Sequence, residues 1–477
     1  MRGIGFFMVF VGCLPLIFVS PFNGVLAWYI FSLGNFHTLI WGGPFAGLNY
    51  AYVIAVLTCL SWCFSRTDQK YLPITPLVIL TLLFSIWVTF TSWFALAPDE
   101  DVWNKWIIVQ KILFMCLVGY ALTTTRERLN QLIWAVVLTI GAWGVKGALS
   151  SLLHGGSEIH GPDNGMLSDN NDFGLGLILI LPLLFYQWHL ATNRHVRRGL
   201  LLMGFLVTLA VFFTYSRGAL VGVCAMGAVF WLRSRAKFTT GLLIAALALS
   251  IYSFAPEKWF ARMGTIETYQ ADGSAMSRLW LWQVSLRIAE LHPVTGGGFR
   301  VTFWPTITNN MLRGTDLPRL TKPRAAHSIY FDALSEHGWV GLVLFLTILG
   351  YSWVNCGWLI RRSRNKPDLA WANLLGRMGQ AVLVGYATAG AFASQAYLDE
   401  YWCIIFIIDA TRRLLAKEIA PAGAFAAAGS RRLPVPQQAV IPAMLAKADN
   451  AQGYANQTGG RRVTSHRLLV PRLDRQS

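Results

Sequence analysis

The chain has 477 residues, 55% of them hydrophobic and only 13% charged, with a formal net charge of +17 and a mean hydropathy of +0.46. Soluble globular proteins carry about twice that charged fraction, so a water-soluble domain is excluded, and the positive charge has to be read by its position along a membrane rather than as a nucleic-acid footprint. The seven cysteines, Cys13, Cys59, Cys63, Cys116, Cys224, Cys356 and Cys403, lie in or beside apolar segments and indicate neither a disulfide framework nor a zinc spacing.

Runs of roughly 20 apolar residues, the length needed to cross a hydrocarbon core as helix, recur along most of the chain. They predict an all-α polytopic membrane protein, with helices rather than a barrel satisfying the backbone. The spans fall near 4–33 (one long or two short), 45–64, 79–95, 106–123, 129–153, 173–190, 199–215, 218–233, 238–255, 338–360, 371–393 and 400–415, about twelve crossings. Arg2 ahead of an apolar run mimics a signal peptide, but no convincing small-residue cleavage site follows, and the run reads as the first span. The 20 tryptophans suit wide interfacial belts.

Basic clusters occupy every second connection: Arg66/Lys70, Arg126/Arg128, Arg194/Arg197/Arg198, Arg233/Arg235/Lys237, Arg361/Arg362/Arg364/Lys366 and Arg412/Arg413/Lys417. Such loops are cytoplasmic. The alternate connections, including Asp99-Glu100-Asp101, the loop from His154 to Asp172 and the interval 256–337, then face outward. The predicted organisation is N-terminal transmembrane helices over 1–255, one large periplasmic loop with short amphipathic helices over 256–337, C-terminal transmembrane helices over 338–417 and a disordered basic cytoplasmic tail over 418–477. Within the loop, residues 277–291 carry apolar side chains at helical spacing and predict an amphipathic interfacial helix.

Arg217, in Tyr215-Ser-Arg-Gly-Ala219, places a permanent charge between two apolar runs. Ionisable groups at membrane depth tend to face a cavity or a partner, and a guanidinium grips phosphate through two parallel hydrogen bonds; snorkelling to headgroups is the plainer alternative. Lys111 and Lys146 fall inside predicted spans towards their outward ends and add to an anion site, or snorkel likewise. Asn170 and Asn171 close a loop dense in amides and carboxylates, suited to holding carbohydrate or simply to capping the helix that follows. Asp169 and Asp172 match no specific metal loop. His327 and Glu336 are nine residues apart, about two and a half turns, and so lie on different faces of a straight helix. An imidazole beside arginines can serve as general base for a hydroxyl, while Glu336 with Gly338 can cap a turn into the next span. Gly296-Gly-Gly298 lacks the strand context of a nucleotide loop and reads as a flexible hinge.

In order along the chain, Tyr215-Ser-Arg-Gly-Ala219, Arg278 with Trp280 and Trp282, His292-Pro-Val-Thr-Gly-Gly-Gly-Phe299 and His327-Ser-Ile-Tyr-Phe-Asp-Ala-Leu-Ser-Glu-His-Gly338 resemble the O-antigen ligase/polymerase superfamily of bacterial membrane glycosyltransferases. The resemblance covers about residues 45–415, with three glycines in a row where the superfamily has a spaced pair. Gly144-Val-Lys-Gly-Ala148, His160-Gly-Pro162 and Asn170-Asn171 are most similar to O-glycosylation ligases associated with exosortase systems. The resemblance implies transfer of a glycan from undecaprenyl diphosphate to an acceptor hydroxyl, on protein, lipid or polysaccharide, at the periplasmic face of the inner membrane, with no cofactor, metal or nucleotide sugar. Arg217 and Arg278 would bind the diphosphate, His327 would activate or orient the acceptor, and Glu336 stands at the motif's acidic position. Lys111, Lys146, Arg300, Asn170 and Asn171 complete the expected substrate-binding set. Repeat-unit polymerisation, or transport of the lipid-linked glycan, are the rival readings.

Overall fold

A computed structural model describes residues 2–39, 48–233, 236–254, 257–264, 273–316 and 319–420. The first apolar region forms two helices, α1 (Arg2–Val19) and α2 (Pro21–Gly34). Extended Ser20 separates them, and Pro21 takes the first turn of α2, where its missing N–H leaves no bond unmade. Then come α3 (Tyr50–Phe64), α4 (Pro76–Ser92), α5 (Asp99–Leu122), α6 (Arg126–Leu153), α7 (Asn170–Leu190) and α8 (Arg194–Phe213). Asn49, Thr75, Thr125, Asp169 and Asn193 fix the starts of α3, α4, α6, α7 and α8 by accepting a first-turn N–H. The chain continues as α9 (Arg217–Arg233), α10 (Lys237–Phe254), α11 (Glu257–Gly264), α12 (Gly273–Leu291), α13 (Pro305–Met311), α14 (Ile329–Arg362), α15 (Ala370–Ala389) and α16 (Asp399–Ile419). No strand forms among the described residues.

Helices α5, α6, α7, α8 and α14 are long and apolar enough to cross a membrane, and α1, α3 and α4 are shorter apolar helices. The spans expected near 218–233, 238–255, 371–393 and 400–415 coincide with the helices α9, α10, α15 and α16. The amphipathic helix expected over 277–291 is the greater part of α12. The span expected from 338 starts earlier, at Ile329, and breaks at Gly338, whose φ of 67° and ψ of −169° no helical residue adopts. The break arises because Trp339 N donates to Pro293 O at 2.9 Å, so the helix opens to accept a partner from the preceding loop. Glu418 and Ile419 belong to α16; the rest of the expected basic tail lies outside the described residues beyond Ala420.

In lipid, apolar burial gives little drive for helices to associate, and close backbone approach through small residues takes its place. That pattern holds α7, α9 and α15 together, with α8 and α6 around α7. A Cβ on Gly222 would stand 2.6 Å from Ile178 and 2.8 Å from Ala389, and one on Gly174 2.8 Å from Ala219. Buried polar groups bind α16 to its neighbours. Asp409 is 1% exposed and accepts hydrogen bonds from Tyr120 (2.7 Å), Thr75 (2.8 Å) and Asn355 (2.9 Å), joining α5, the start of α4, and α14.

Candidate active site

Arg217 opens α9, and the turn before it is built to hold it there. Tyr215 has φ of 55° and donates its hydroxyl to Gly156 O at 2.7 Å. Ser216 Oγ accepts from Ala219 N at 3.2 Å and donates to Asn171 Oδ1 at 2.9 Å. Arg217 is thereby set, half-buried, beside the start of α7. Next to it, a Cβ on Gly218 would come within 2.8 Å of Phe392, so this end of α9 abuts the segment that leads to α16.

Arg278 is carried by α12. Trp282, one turn on, stacks on Phe331 with centroids 5.1 Å apart and donates Nε1 to Ala326 O at 3.0 Å. This fixes α12 against the stretch that delivers His327. The sequence pattern places His327 at a helix start, but α14 begins only at Ile329; His327 lies outside it with φ of 49°. Its backbone N donates to Ser394 Oγ at 2.8 Å, and Ser394 donates to Asp332 Oδ1 at 3.1 Å. Among the described residues its ring Nδ1 has no hydrogen-bond partner. Burial, then the nearby Arg278 charge, hold the imidazole below its ordinary value of 6.5; Asp169 acts against this and Arg324 with it.

The third strained residue is Arg300, with φ of 60°. Its backbone N donates to Glu336 Oε1 at 2.9 Å, and Tyr397 donates to Glu336 Oε2 at 2.8 Å. Burial and the Glu336 charge push the Tyr397 phenol well above its ordinary value. The Lys105 ammonium lies 5.6 Å from the Tyr397 ring centre and feels the charges of Glu336, Asp332, Arg300 and Asp172. Of the described non-glycine residues with positive φ, three are asparagines, which tolerate it; the other three are Tyr215, Arg300 and His327. Strain of this kind persists only where the surroundings impose it, and it gathers at functional sites.

The turn of Gly296, Gly297 and Gly298 is not the hinge expected from its composition. Gly297 N donates to Ser335 O (2.8 Å), Gly298 N to Glu336 O (2.9 Å), and Leu96 N to Gly297 O (2.9 Å). The glycines are needed for contact: a Cβ on Gly298 would stand 2.2 Å from that of Ala95, and one on Gly296 2.6 Å from Gly338 N. The turn is a clamp between α4's end and α14.

The structure therefore brings Arg278, His327, Arg300 and Glu336 into one electrostatic cluster with Asp169, Asp172, Asp332, Lys105 and Tyr397, and sets Arg217 at its edge through Ser216 and Asn171. Asn170 is buried and spends its amide on Glu158 Oε1 (2.6 Å) and Thr214 O (2.8 Å); Asn171 bonds Asp169, Asn170 and Ser216. Both serve the start of α7. Lys146 is exposed with its ammonium 4.2 Å from the Trp143 ring centre. Lys111 is exposed over Tyr52 and lines a separate cavity of about 740 Å³ between α2, α3 and α5. Neither shares a contact with the cluster among the described residues, where no three His, Cys, Asp or Glu come together as metal ligands.

Sequence reasoning missed Lys105, Asp332 and Tyr397. Lys105 was within reach: it follows buried Val102 by three residues and precedes buried Val109 by four, so it shares their face, whereas Lys111 lies on another. Asp332 stands four residues before Glu336, a like-charge spacing that is unfavourable unless a cation faces it. Nothing local marks Tyr397.

Residues 201–346 match the family model described as O-antigen ligase, and residues 1–192 match one described as a family of unknown function (DUF5935). No curated protein matches the chain. The ligase match spans Arg217, Arg278, Arg300, His327 and Glu336, while Lys105 and Asp172 fall in the other. Over 201–346, then, this helical membrane-type chain is similar to the O-antigen ligases.

Proposed function

We propose that the protein is a glycan ligase of the inner membrane that transfers a saccharide from undecaprenyl diphosphate to an acceptor hydroxyl on protein, lipid or polysaccharide at the periplasmic face. The observation that carries this reading is His327: outside any helix, strained, with a ring nitrogen that has no hydrogen-bond partner among the described residues and a protonation range depressed by burial and Arg278. A neutral imidazole at working pH is the form a general base requires.

In the reaction the acceptor oxygen attacks the anomeric carbon, the bond from that carbon to the diphosphate breaks, and the acceptor proton passes to His327. Undecaprenyl diphosphate leaves carrying the extra negative charge. Arg217 and Arg278 would hold that charge, and fixed cations in a water-poor site stabilise it without reorganising. Glu336, bridged to Arg300 and Tyr397 and facing Lys105, would position the clamp rather than touch substrate. The association with exosortase systems belongs to this proposal and rests on the motif resemblance alone.

The test is transfer in nanodiscs by the purified full chain, given glycan on undecaprenyl diphosphate and a cell-envelope acceptor fraction. Glycan should move to acceptor with wild type and fall on the order of a hundredfold or more with Arg217→Ala or Arg278→Ala. Wild-type protein that moves the donor across the bilayer without forming product would favour the transporter reading instead.

A further inference from the structure

The strongest unassigned feature lies at the other end of the helices that build the site. Helix α9 runs from Arg217 to Arg233, and α14 continues past its break at Gly338 to Arg362, about 24 and 36 Å along their axes from Arg217 and Gly338 at the helical rise. There, the far ends of α9 and α14, the connection after α14 and the first two turns of α15 line a pocket of about 760 Å³. Its charged lining is entirely basic: Arg233, Arg361, Arg364, Lys366 and Arg377, with His189 beside them and no carboxylate in the wall. A second recess of about 370 Å³ is lined by Arg233, Arg361 and Arg377 again.

Five cations converging on one space without a counter-ion repel one another, and that arrangement is stabilised when an anion enters. The fixed polar partners are neutral: Arg233 binds Gln380, and Arg377 Nε donates to Asn373 Oδ1 at 2.9 Å. Among the described residues none of the five is in an ion pair. The rest of the wall includes Ile360, Leu374 and Pro367, and Arg233 lies 5.7 Å from the centre of the Trp353 ring, an aromatic anchor of the kind found at the membrane–water boundary.

We propose that this pocket binds the phosphate-bearing headgroup of an anionic phospholipid, seated between α9, α14 and α15. Guanidiniums match phosphate oxygens in pairs, and the apolar wall beside the cations suits the upper part of an acyl chain. A lipid held there bridges the two helices whose opposite ends carry Arg217 and Glu336.

The experiment is native mass spectrometry of the full-length protein from nanodiscs of phosphatidylcholine containing phosphatidylglycerol, wild type against Arg361→Gln/Arg364→Gln/Arg377→Gln. Each guanidinium–phosphate contact made in the pocket is worth roughly fivefold in affinity, so the triple variant should lose phosphatidylglycerol by on the order of a hundredfold. Removing three cations from another basic connection, by Arg194→Gln/Arg197→Gln/Arg198→Gln, should leave retention unchanged. Equal loss from both triples would overturn the proposal in favour of general surface charge. Inorganic phosphate or pyrophosphate protecting the wild type against heat, with phosphatidylglycerol not retained, would overturn the lipid assignment. Should the pocket variant fail to fold, Arg364→Gln alone, at an exposed residue, gives the same comparison with an expected loss of roughly fivefold.

Discussion

At the scale of single residues, the site depends on groups kept in states that water would not favour. His327 is held below its ordinary 6.5, so it stays neutral as pH falls from neutrality to that value and titrates only below it. Transfer should accordingly be flat through the neutral range and decline on the acid side of 6.5. Replacing Arg278 by Gln removes a charge that disfavours imidazolium, so the acid limb of the pH–rate profile should move to higher pH; a limb that stays put would detach Arg278 from His327. Lys105 supports a second expectation. Without it, Asp332 and Glu336 lose the cation that faces both, with Arg300 left to offset Glu336, and Lys105→Met should lower kcat about tenfold or more, near 1.4 kcal/mol, with Lys105→Arg partly restoring it and Lys111→Met changing it little. The arginines and His327 were legible as residue types in suggestive places. The strain at Tyr215, Arg300 and His327 was not, because it is imposed by partners distant in sequence such as Gly156, Glu336 and Ser394.

At the scale of elements, composition misleads where tertiary contacts decide the outcome. Three successive glycines read as freedom, yet Gly296 to Gly298 are hydrogen-bonded to the 335–336 backbone and pressed against Ala95 and Gly338. Gly296 has φ of 64° with a Cβ position 2.6 Å from Gly338 N. Gly296→Ala should therefore destabilise the protein by about 1–2 kcal/mol from the left-handed backbone alone, with more from the clash, read as a lower melting temperature in detergent. Transfer should fall with it, because the clamp positions Glu336 and Arg300. Helix starts are set by local capping at Asn49, Thr75, Thr125, Asp169 and Asn193, yet hydropathy placed these spans from 45, 79, 129, 173 and 199, because a hydropathy window averages across the cap. The break inside α14 was not legible, since Gly338 interrupts the helix only because Pro293 supplies an outside acceptor.

At the scale of the whole molecule, hydropathy gave the order of the helices but not the assembly that folds Asp172, Arg278, His327 and Glu336 onto one end. Apolar periodicity marks which segments are buried; it does not say which loops meet. The polar joint at Asp409 illustrates the separation between scaffold and site. Three hydrogen bonds there, each worth about 0.6 kcal/mol in a membrane protein, sum to roughly 2 kcal/mol, so Asp409→Leu should lower thermal stability by that order. Transfer per folded molecule should be unchanged. A variant that melts normally but transfers poorly would make Asp409 part of the reaction.

The central claim is that Arg217 and Arg278 hold the donor's diphosphate while His327 takes the acceptor proton. Donor binding and transfer measured side by side on one nanodisc preparation of His327→Ala test it most directly. Donor affinity should stay within a few fold of wild type while transfer falls about 10²- to 10⁴-fold. Transfer at the wild-type rate with bound donor would contradict it and remove His327 from the chemistry.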